Sequence, residues 1–266
     1  MIRILCCTVI LLVGFVGRSA YALEPFALYD SFTASTIDGS KWSVSQTVQK
    51  ISSHKLFISL QSDGVSGSNE GQVSESRSLL FINQPAVTQI KATVTVTKFD
   101  LTDCTTNTGI TKTRARLGGG FFNTGTPTAG SALNDVYAQI RIERRSDSTE
   151  PTDVLDVSAL LVLCTDSDCT TNTTLPGTKN MGTVNVGTPI TLYMEWDQLH
   201  NKFLFKRDAE AWVTIPYAVA DSGAPGRFNK GVGVNNAIDR CNSVPLSEAF
   251  MAATFDNVYV NASAAP

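Results

Sequence analysis

The amino-acid sequence predicts an all-β protein that folds as a sandwich of two antiparallel sheets. Apolar and polar residues alternate with a period of two in most apolar runs, as in KATVTVT at residues 91–97. These runs are short, and Gly, Asn, Asp and Pro separate them. No segment has the 3.6-residue period of an amphipathic helix, so the sequence argues against a parallel sheet with crossover helices.

The strand pattern recurs along most of the chain. It is found at residues 55–60, 79–82, 91–97, 136–143, 157–163, 190–197, 202–206, 212–215, 232–234 and 250–260. Two glycine-rich runs, at 117–121 and 231–233, lack the features of a phosphate loop and indicate a bulge or a close approach of strands. Because many short strands must each bury one face, the pattern indicates a β-sandwich or jelly roll.

The first 22 residues predict a secretory signal peptide. Arg3 precedes an apolar run at 4–16 that is too short to span a bilayer, and Ala20 and Ala22 form an A-x-A cleavage site. Cleavage after Ala22 leaves residues 23–266, a length typical of one all-β domain. We therefore expect a secreted protein, periplasmic or extracellular, with one domain and no transmembrane segment in the mature chain.

The charge of the mature chain disfavours anionic partners. Removing Arg3 and Arg18 from the 21 basic residues leaves 19 against 24 acidic residues, a net charge near −5. No basic stripe is apparent, so the sequence predicts no nucleic-acid partner. The small basic groups are interpreted as solvated strand ends. They are Arg114/Arg116, Arg141/Arg144/Arg145 and Lys206/Arg207.

The hexapeptide DCTTNT occurs twice, at residues 103–108 and 168–173. The repeat is compatible with two metal loops, two halves of a duplicated fold, or two polar loops that each need a covalent staple. Sequence outside the six residues does not recur, and His54 and His200 are the only histidines, so the staple is favoured over a zinc site. In such loops Asp, Thr and Asn bond their own backbone.

The exported chain has four cysteines, an even number in a compartment that permits disulfides. Three pairings are possible. The short spacing of Cys164 and Cys169 suits a clip on one tight loop, and this choice leaves Cys104 to pair with Cys241. We therefore expect the disulfides Cys164–Cys169 and Cys104–Cys241.

Short motifs at both ends and in the middle of the chain carry a family resemblance. Residues 29–32 (YDSF), 37–42 (IDGSKW) and 255–260 (FDNVYV) resemble the opening and closing strands of the concanavalin A-like lectin and glucanase superfamily. Residues 191–197 (TLYMEWD) and 201–205 (NKFLF) resemble the hairpin of its laminin-G-like and pentraxin-like members. The resemblance covers nearly the whole mature chain and implies a concanavalin A-like jelly roll.

The segment from Glu195 to His200 resembles part of a glycosidase motif. Laminarinase-like members carry E-x-D-x-E or E-x-D-x-x-E, which implies a nucleophile at Glu195 and an assisting carboxylate at Asp197. Leu199 and His200 occupy the positions of the second Glu, so the acid/base is missing. An ordinary strand with its polar residues outward and Trp196 in the core is the favoured explanation of the segment, so we assign no catalytic residue.

The same resemblance implies a structural Ca²⁺ where the first and last strands meet. Asp30 and Asp256 lie in the corresponding motifs, and the cation would add backbone carbonyls and water to these two carboxylates. In the alternative interpretation both carboxylates cap turns or pair with Lys41.

Alternation in two of the strands places polar and aromatic residues opposite the buried face. These rows are Tyr137, Gln139 and Arg141 in one strand and Tyr193, Glu195 and Asp197 in the other. If both strands belong to one concave sheet, the rows supply rings for stacking on sugars and polar groups for hydroxyls. The alternative is a solvated face with cross-strand pairs such as Arg141 with Glu195.

These observations predict a secreted, non-catalytic binding module with carbohydrate as its ligand class, for example a glycan or a cell-surface polysaccharide. Two other functions stay open. One is a glycoside hydrolase related to laminarinases with a displaced acid/base, and the other is a structural extracellular component without a soluble ligand.

Overall fold

A computed structural model describes residues 24–33, 49–63, 72–104, 109–240 and 247–266. The predicted signal peptide, Lys41 and Cys241 lie outside the described residues. The strands are β1 (Phe26–Asp30), β2 (Gln49–Ser52), β3 (Lys55–Asp63), β4 (Gln72–Leu80), β5 (Gln89–Thr102), β6 (Lys112–Asn123), β7 (Asp135–Arg145), β8 (Val154–Cys164), β9 (Asn172–Asn185), β10 (Ile190–Asp197), β11 (Lys202–Arg207), β12 (Val213–Pro216), β13 (Gly231–Asp239) and β14 (Glu248–Asn261). Short 3-10 turns occupy Gln84–Ala86, Gln198–His200 and Ala262–Ala264.

The strands form two antiparallel sheets, which confirms the predicted fold class. The eight-stranded sheet has the order β12-β11-β10-β5-β14-β3-β2, with β1 paired to β14. The six-stranded sheet has the order β4-β13-β6-β7-β8-β9. In the ranges that the structure describes, no helix has the length and apolar character needed to cross a membrane.

All of the strands predicted from alternation are present, and β1 overlaps residues 29–32, which resemble an opening strand. Three further strands, β2, β6 and β9, are not predicted by the sequence. The interpretation of the 117–121 glycine run as a bulge is confirmed, because the β6–β7 register shifts between Gly120 and Phe122. β9 is an edge strand whose residues are mostly exposed, and it contains Pro176 and two glycines with positive φ. An edge strand buries little surface, so it leaves no apolar alternation in the sequence.

The core lies between the sheets and has an aromatic cluster at one end. The Trp196 ring stacks on Phe122 and Phe203, with ring centroids 5.7 and 6.1 Å apart. Its indole Nε1 donates a hydrogen bond to the Tyr217 hydroxyl at 3.0 Å, so the polar edge of the ring is satisfied inside the protein. The interpretation that places Trp196 in the core is confirmed.

A buried asparagine in β13 connects the two sheets. The Nδ2 of Asn236 donates to the backbone carbonyls of Leu60 in β3, at 3.2 Å, and Ala249 in β14, at 2.8 Å. Its Oδ1 accepts from the Thr113 hydroxyl of β6 at 2.6 Å. Because these hydrogen bonds are directional and lie in the core, they favour one relative position of the two sheets. Apolar contacts alone would specify that position less strictly.

One predicted disulfide is present. Cys164 and Cys169 are bonded with their Cα atoms 4.7 Å apart. Cys104 is also disulfide-bonded, and its predicted partner Cys241 lies outside the described residues. The loop between Cys164 and Cys169 is organised by Asp166, whose carboxylate accepts from backbone N–H groups and from the hydroxyls of Thr170 and Thr171. Bonds from Thr170 and Thr171 hold the pKa of Asp166 well below its usual range.

Lys230 is 1% exposed just before β13, and it should make stability depend on pH. Its Nζ donates to the carbonyl of Val87 at 2.6 Å and lies 4.3 Å from the Phe121 ring centroid. Burial lowers the pKa of Lys230 to about 7. A lysine in the unfolded chain has a pKa of roughly 10.4. Between about pH 7 and 10 the unfolded chain therefore binds more protons than the folded chain.

We therefore expect the free energy of unfolding to rise with pH across this window, with a Lys230 contribution of at most ~1.4 kcal/mol per pH unit. Urea unfolding of the wild type and of Lys230→Met, measured at several pH values in this window, isolates the contribution. The variant should show a flatter profile. Parallel profiles would mean that Lys230 is not deprotonated on folding.

Candidate ligand-binding site

A groove with a volume of about 690 Å³ crosses the outer face of the six-stranded sheet. Side chains from every strand of that sheet line it, from Ser74, Ser76 and Ser78 of β4 to Thr174 and Thr178 of β9. The volume lies within the range of small-molecule sites, although the lining is far more polar than usual.

Three glycines stand between residues that line the groove, and they place no side chain on its floor. Gly231 and Gly233 are the outward-facing positions at the start of β13, and Gly118 of β6 pairs with Gly231. A Cβ atom at Gly231 would lie 2.0 Å from the carbonyl oxygen of Leu79, so no other residue fits there without a shift of backbone. The close packing of neighbouring strands therefore requires glycine here, and both Gly231 and Gly233 are buried.

Basic side chains stand beside this floor. Lys112, Arg114 and Arg116 occupy alternate positions of β6 and line the groove, while the residues between them are buried. In the β6–β7 ladder, Arg141 lies opposite Arg116 and Arg145 lies opposite Lys112. Two adjacent strands thus place several cations on one face.

Glu143 neutralises part of this charge. It is 3% exposed, and one of its carboxylate oxygens accepts from Nε of Arg114 while the other accepts from Arg141 at 3.2 Å. Burial raises the pKa of the Glu143 carboxyl, but the two guanidinium groups outweigh it and the pKa is lowered overall. Glu143 is therefore ionised at neutral pH and holds both arginines in place.

Several polar groups in the groove have no side-chain partner among the described residues, and Arg116 and Gln139 are two of them. Arg116 makes no hydrogen bond or ion pair there, and burial together with the charge of Arg114 lowers its pKa to about 10. Gln139, which pairs with Gly118 in the ladder, has a buried Oε1 that accepts no hydrogen bond. Since buried polar groups are normally satisfied, both are free to bind a ligand.

Tyr137 presents a fixed ring rather than a reactive hydroxyl. Its OH donates to the carbonyl of Arg227 at 3.1 Å and accepts from Nδ2 of Asn229 at 3.0 Å. Burial raises the pKa of Tyr137 to about 12, so the phenol is neutral at physiological pH. The ring is half-buried and lines the groove.

The disulfide loop forms one wall of the groove, where Asp168, Cys169 and Thr170 line it. Arg227, which also lines the groove, donates to the Asp168 carboxylate at 2.8 Å. The covalent clip and this ion pair therefore fix the position of the wall.

The predicted ligand residues do not form one site. Tyr137, Gln139 and Arg141 line the groove, but Tyr193, Glu195 and Asp197 belong to β10 of the eight-stranded sheet. Since each row points away from the core, the two rows face opposite sides of the sandwich. The condition that both strands share one concave sheet is wrong, and the alternative pair of Arg141 with Glu195 is excluded for the same reason. Alternation determines the face of a strand, but it does not determine which sheet the strand joins.

On the opposite face, Tyr193 lies in a cluster of cations and rings. Its ring centroid is 5.3 Å from Nζ of Lys91, 5.4 Å from Nζ of Lys206 and 6.1 Å from the Trp212 ring. Burial, followed by the charge of Asp197, raises the pKa of the neighbouring Glu195 carboxyl.

Asp197 serves the turn that follows β10. Its carboxylate accepts from the backbone N–H of His200 at 3.3 Å and lies 2.8 Å from the imidazole Nδ1 and 3.3 Å from Nζ of Lys202. Burial raises the pKa of Asp197, but its bonds to His200 and Lys202 prevail and lower it overall. These contacts favour the hairpin interpretation of this segment over the glycosidase motif.

The two aspartates of the predicted calcium site each cap a turn. Asp30 accepts from the backbone N–H of Phe32 at 2.7 Å, and Asp256 accepts from that of Asn257 at 2.8 Å. Among the described residues, no group of three or more His, Cys, Asp or Glu side chains is placed to hold a metal ion. Calcium binding by Asp30 and Asp256 stays a prediction.

Sequence reasoning missed the basic residues of the groove. Arg114, Arg116 and Arg141 lie within strands and line the groove, so their interpretation as solvated strand ends is wrong. Arg144 is buried and donates to the carbonyls of Glu150, Pro151 and Val154. The alternation of basic and buried residues at 112–117, KTRARL, is a period-two signal that could have revealed the row.

No protein-family model and no curated protein matches the chain. Among solved structures, the chain is similar to SCLam, a non-specific endo-beta-1,3(4)-glucanase from family GH16, with 11% identity, a TM-score of 0.41, and coverage of 90% of this chain and 94% of that one. For LamAcat from Zobellia galactanivorans the identity is 10%, the TM-score 0.37 and the coverage 89% and 98%. For the carbohydrate-binding module CBM66 from Bacillus subtilis the identity is 12%, the TM-score 0.32, and the coverage 76% of this chain and 92% of that one. All three matches have a TM-score below 0.5, so they carry no argument about family or activity.

Proposed function

We propose that this protein is a secreted carbohydrate-binding module whose ligand lies in the groove of the six-stranded sheet. The groove itself carries the proposal, because it combines serine, threonine and amide side chains, the ring of Tyr137, and the unpartnered Oε1 of Gln139. Sugars need a flat ring to pack against together with many hydrogen-bond partners for their hydroxyls, and this lining supplies both.

The carboxylates of this face favour binding over hydrolysis. A glycosidase needs two carboxyls that flank the scissile bond, one of them free to attack or to activate water. Both oxygens of Glu143 are occupied by arginines, and Asp168 is paired with Arg227. Asp156 has a pKa raised by burial and lies opposite Glu143 in the β7–β8 ladder, but it does not line the groove.

The cysteines support an extracytoplasmic location. Cys164, Cys169 and Cys104 are all disulfide-bonded, and disulfides persist in oxidising compartments. This agrees with the signal peptide that the sequence predicts.

A glycan array with the oxidised protein tests the proposal. We expect binding to at least one glycan, and we expect Gln139→Leu to weaken it about tenfold because the variant offers no acceptor to the ligand. Tyr193→Ala, on the opposite face, is the matched control and should bind like the wild type.

The other possible results would support a different binding site or a different function. If Tyr193→Ala loses binding and Gln139→Leu keeps it, the ligand lies on the eight-stranded sheet. Release of reducing sugar would support the hydrolase alternative instead. If the glycan array shows no binding and no reducing sugar is released, the structural role is favoured.

A further inference from the structure

The groove has an excess of positive charge. Six cationic side chains line it, namely Lys112, Arg114, Arg116, Arg141, Arg145 and Arg227. Among the residues that the structure describes, three carboxylates contact them, those of Glu143, Asp147 and Asp168, which leaves an excess of three positive charges there. The whole chain has the opposite sign, with a formal net charge of −3, so the cations are concentrated at this one surface.

Lys112 and Arg116 are the two lining cations without an ion pair among the described residues, and of the two only Arg116 has the planar fork of a guanidinium. On one side of Arg116 in the sheet lies Gly233, which has no side chain, and on the other lies Arg141, which is engaged with Glu143. The neighbouring β13 position therefore contributes no side chain that could pair with its guanidinium. A planar fork of this kind prefers a carboxylate or sulfate that can accept two hydrogen bonds.

Gln139 adds a second requirement. It lies two residues before Arg141 on the same face of β7, next to the bare floor. Its unpartnered Oε1 needs a hydrogen-bond donor, whereas Arg116 needs an anionic acceptor. A sugar that carries an acidic group presents hydroxyl donors and an anion within one ring or two.

On the basis of the proposed function, we infer that the groove selects acidic glycans and seats a carboxylate or sulfate of the ligand against Arg116, with a neighbouring hydroxyl on Gln139. The lining contains a single aromatic ring, that of Tyr137, and it is half-buried. Single-stranded nucleic acid is bound by successive stacking of bases on aromatic rings, so it fits this groove less well than a polysaccharide.

The test compares each acidic polymer with its own neutral form. The ligands are a polyuronate with its carboxyl-reduced derivative, and a sulfated glycan with its desulfated derivative, measured by isothermal titration calorimetry at physiological salt. We expect one acidic polymer to bind and its neutral form to bind at least tenfold more weakly. The arm that binds identifies the anion as carboxylate or sulfate.

Variants then locate the anion. Arg116→Gln should weaken binding of the acidic polymer about 10- to 100-fold, and Arg116→Lys less so, because lysine keeps the charge but loses the fork. Lys206→Gln removes one charge on the opposite face and should bind like the wild type. The melting temperature of Arg116→Gln should be unchanged or higher, because the variant removes repulsion from Arg114 and Arg141. Weaker binding without a lower melting temperature would show that Arg116 acts in binding, whereas a lower melting temperature would indicate a structural role.

The outcomes separate the inference from the function on which it rests. Equal binding of the acidic and neutral forms would overturn the inference and keep the carbohydrate module. Binding of none of the four polymers, together with a silent array, would overturn both. Binding of single-stranded DNA as tight as that of the acidic polymer would show general polyanion affinity and would also overturn the inference. If Arg116→Gln does not fold, Arg116→Lys with the neutral derivatives still decides the question.

Discussion

Replacing Asp135 with alanine is expected to lower the free energy of unfolding by about 4 kcal/mol, because three hydrogen bonds end on this one buried carboxylate. Asp135 is fully buried at the start of β7. Its oxygens accept from Nδ2 of Asn123 and from the backbone N–H groups of Gly226 and Arg227, each at 2.8 Å. The carboxylate therefore ties the segment before β13 to the sheet.

The measurement is equilibrium unfolding in urea, with Asp153→Ala as the matched control. Asp153 is exposed, so its replacement should change stability by no more than about 0.5 kcal/mol. Asp135→Asn keeps the shape and some of the acceptors, and it should be less damaging than alanine. A loss below about 1 kcal/mol for Asp135→Ala would mean that the three donors find other partners.

Replacing Glu143 with alanine should cost about 3 kcal/mol at neutral pH, since it leaves Arg114 and Arg141 facing each other without a counterion. The loss should depend on pH. The folded pKa of Glu143 is lowered, so its stabilising contribution is complete above the pKa of the unfolded chain and is lost as the pH falls through the folded pKa. The stabilities of variant and wild type should therefore converge in acid.

Unfolding curves at neutral pH and at progressively lower pH check this expectation, with exposed Glu248→Ala as the control. A difference between wild type and Glu143→Ala that stays constant down to the acid transition would contradict an ionised Glu143. In the folded variant the groove gains one net positive charge, so affinity for an acidic glycan should increase at low salt.

The sequence predicts the faces of strands better than the partners of strands. In β7 and β10 the alternation places the apolar residues Ala138, Ile140, Leu192 and Met194 in the core, because it is a local property with a period of two. It does not give the degree of exposure, since Arg141 and Glu195 are buried as well. Sheet membership depends on pairing between distant segments, such as β10 with β5, and no local pattern records it. For this reason the row at 137–141 and the row at 193–197 were joined into one site although they face opposite ways.

The strand that matters most for the groove was the hardest to recognise. β6 contains three consecutive glycines and three basic residues, and both features weaken the expectation of a strand. The glycines make the floor and the basic residues make the charge, so local strand propensity was lost at the position where the groove is built. The net charge of the chain is a poor guide to its partners for a similar reason. It averages a basic groove with the acidic remainder of the chain, so the negative total does not reveal the local excess of cations.

The clip between Cys164 and Cys169 determines when the groove wall loses its conformational freedom. In the oxidised chain the wall is ordered during folding, so a ligand meets a preorganised surface and does not have to immobilise the loop on arrival. A chain made in a reducing cytosol would lack the clip and offer a looser wall. Affinity measured on reduced recombinant protein would then understate that of the exported form.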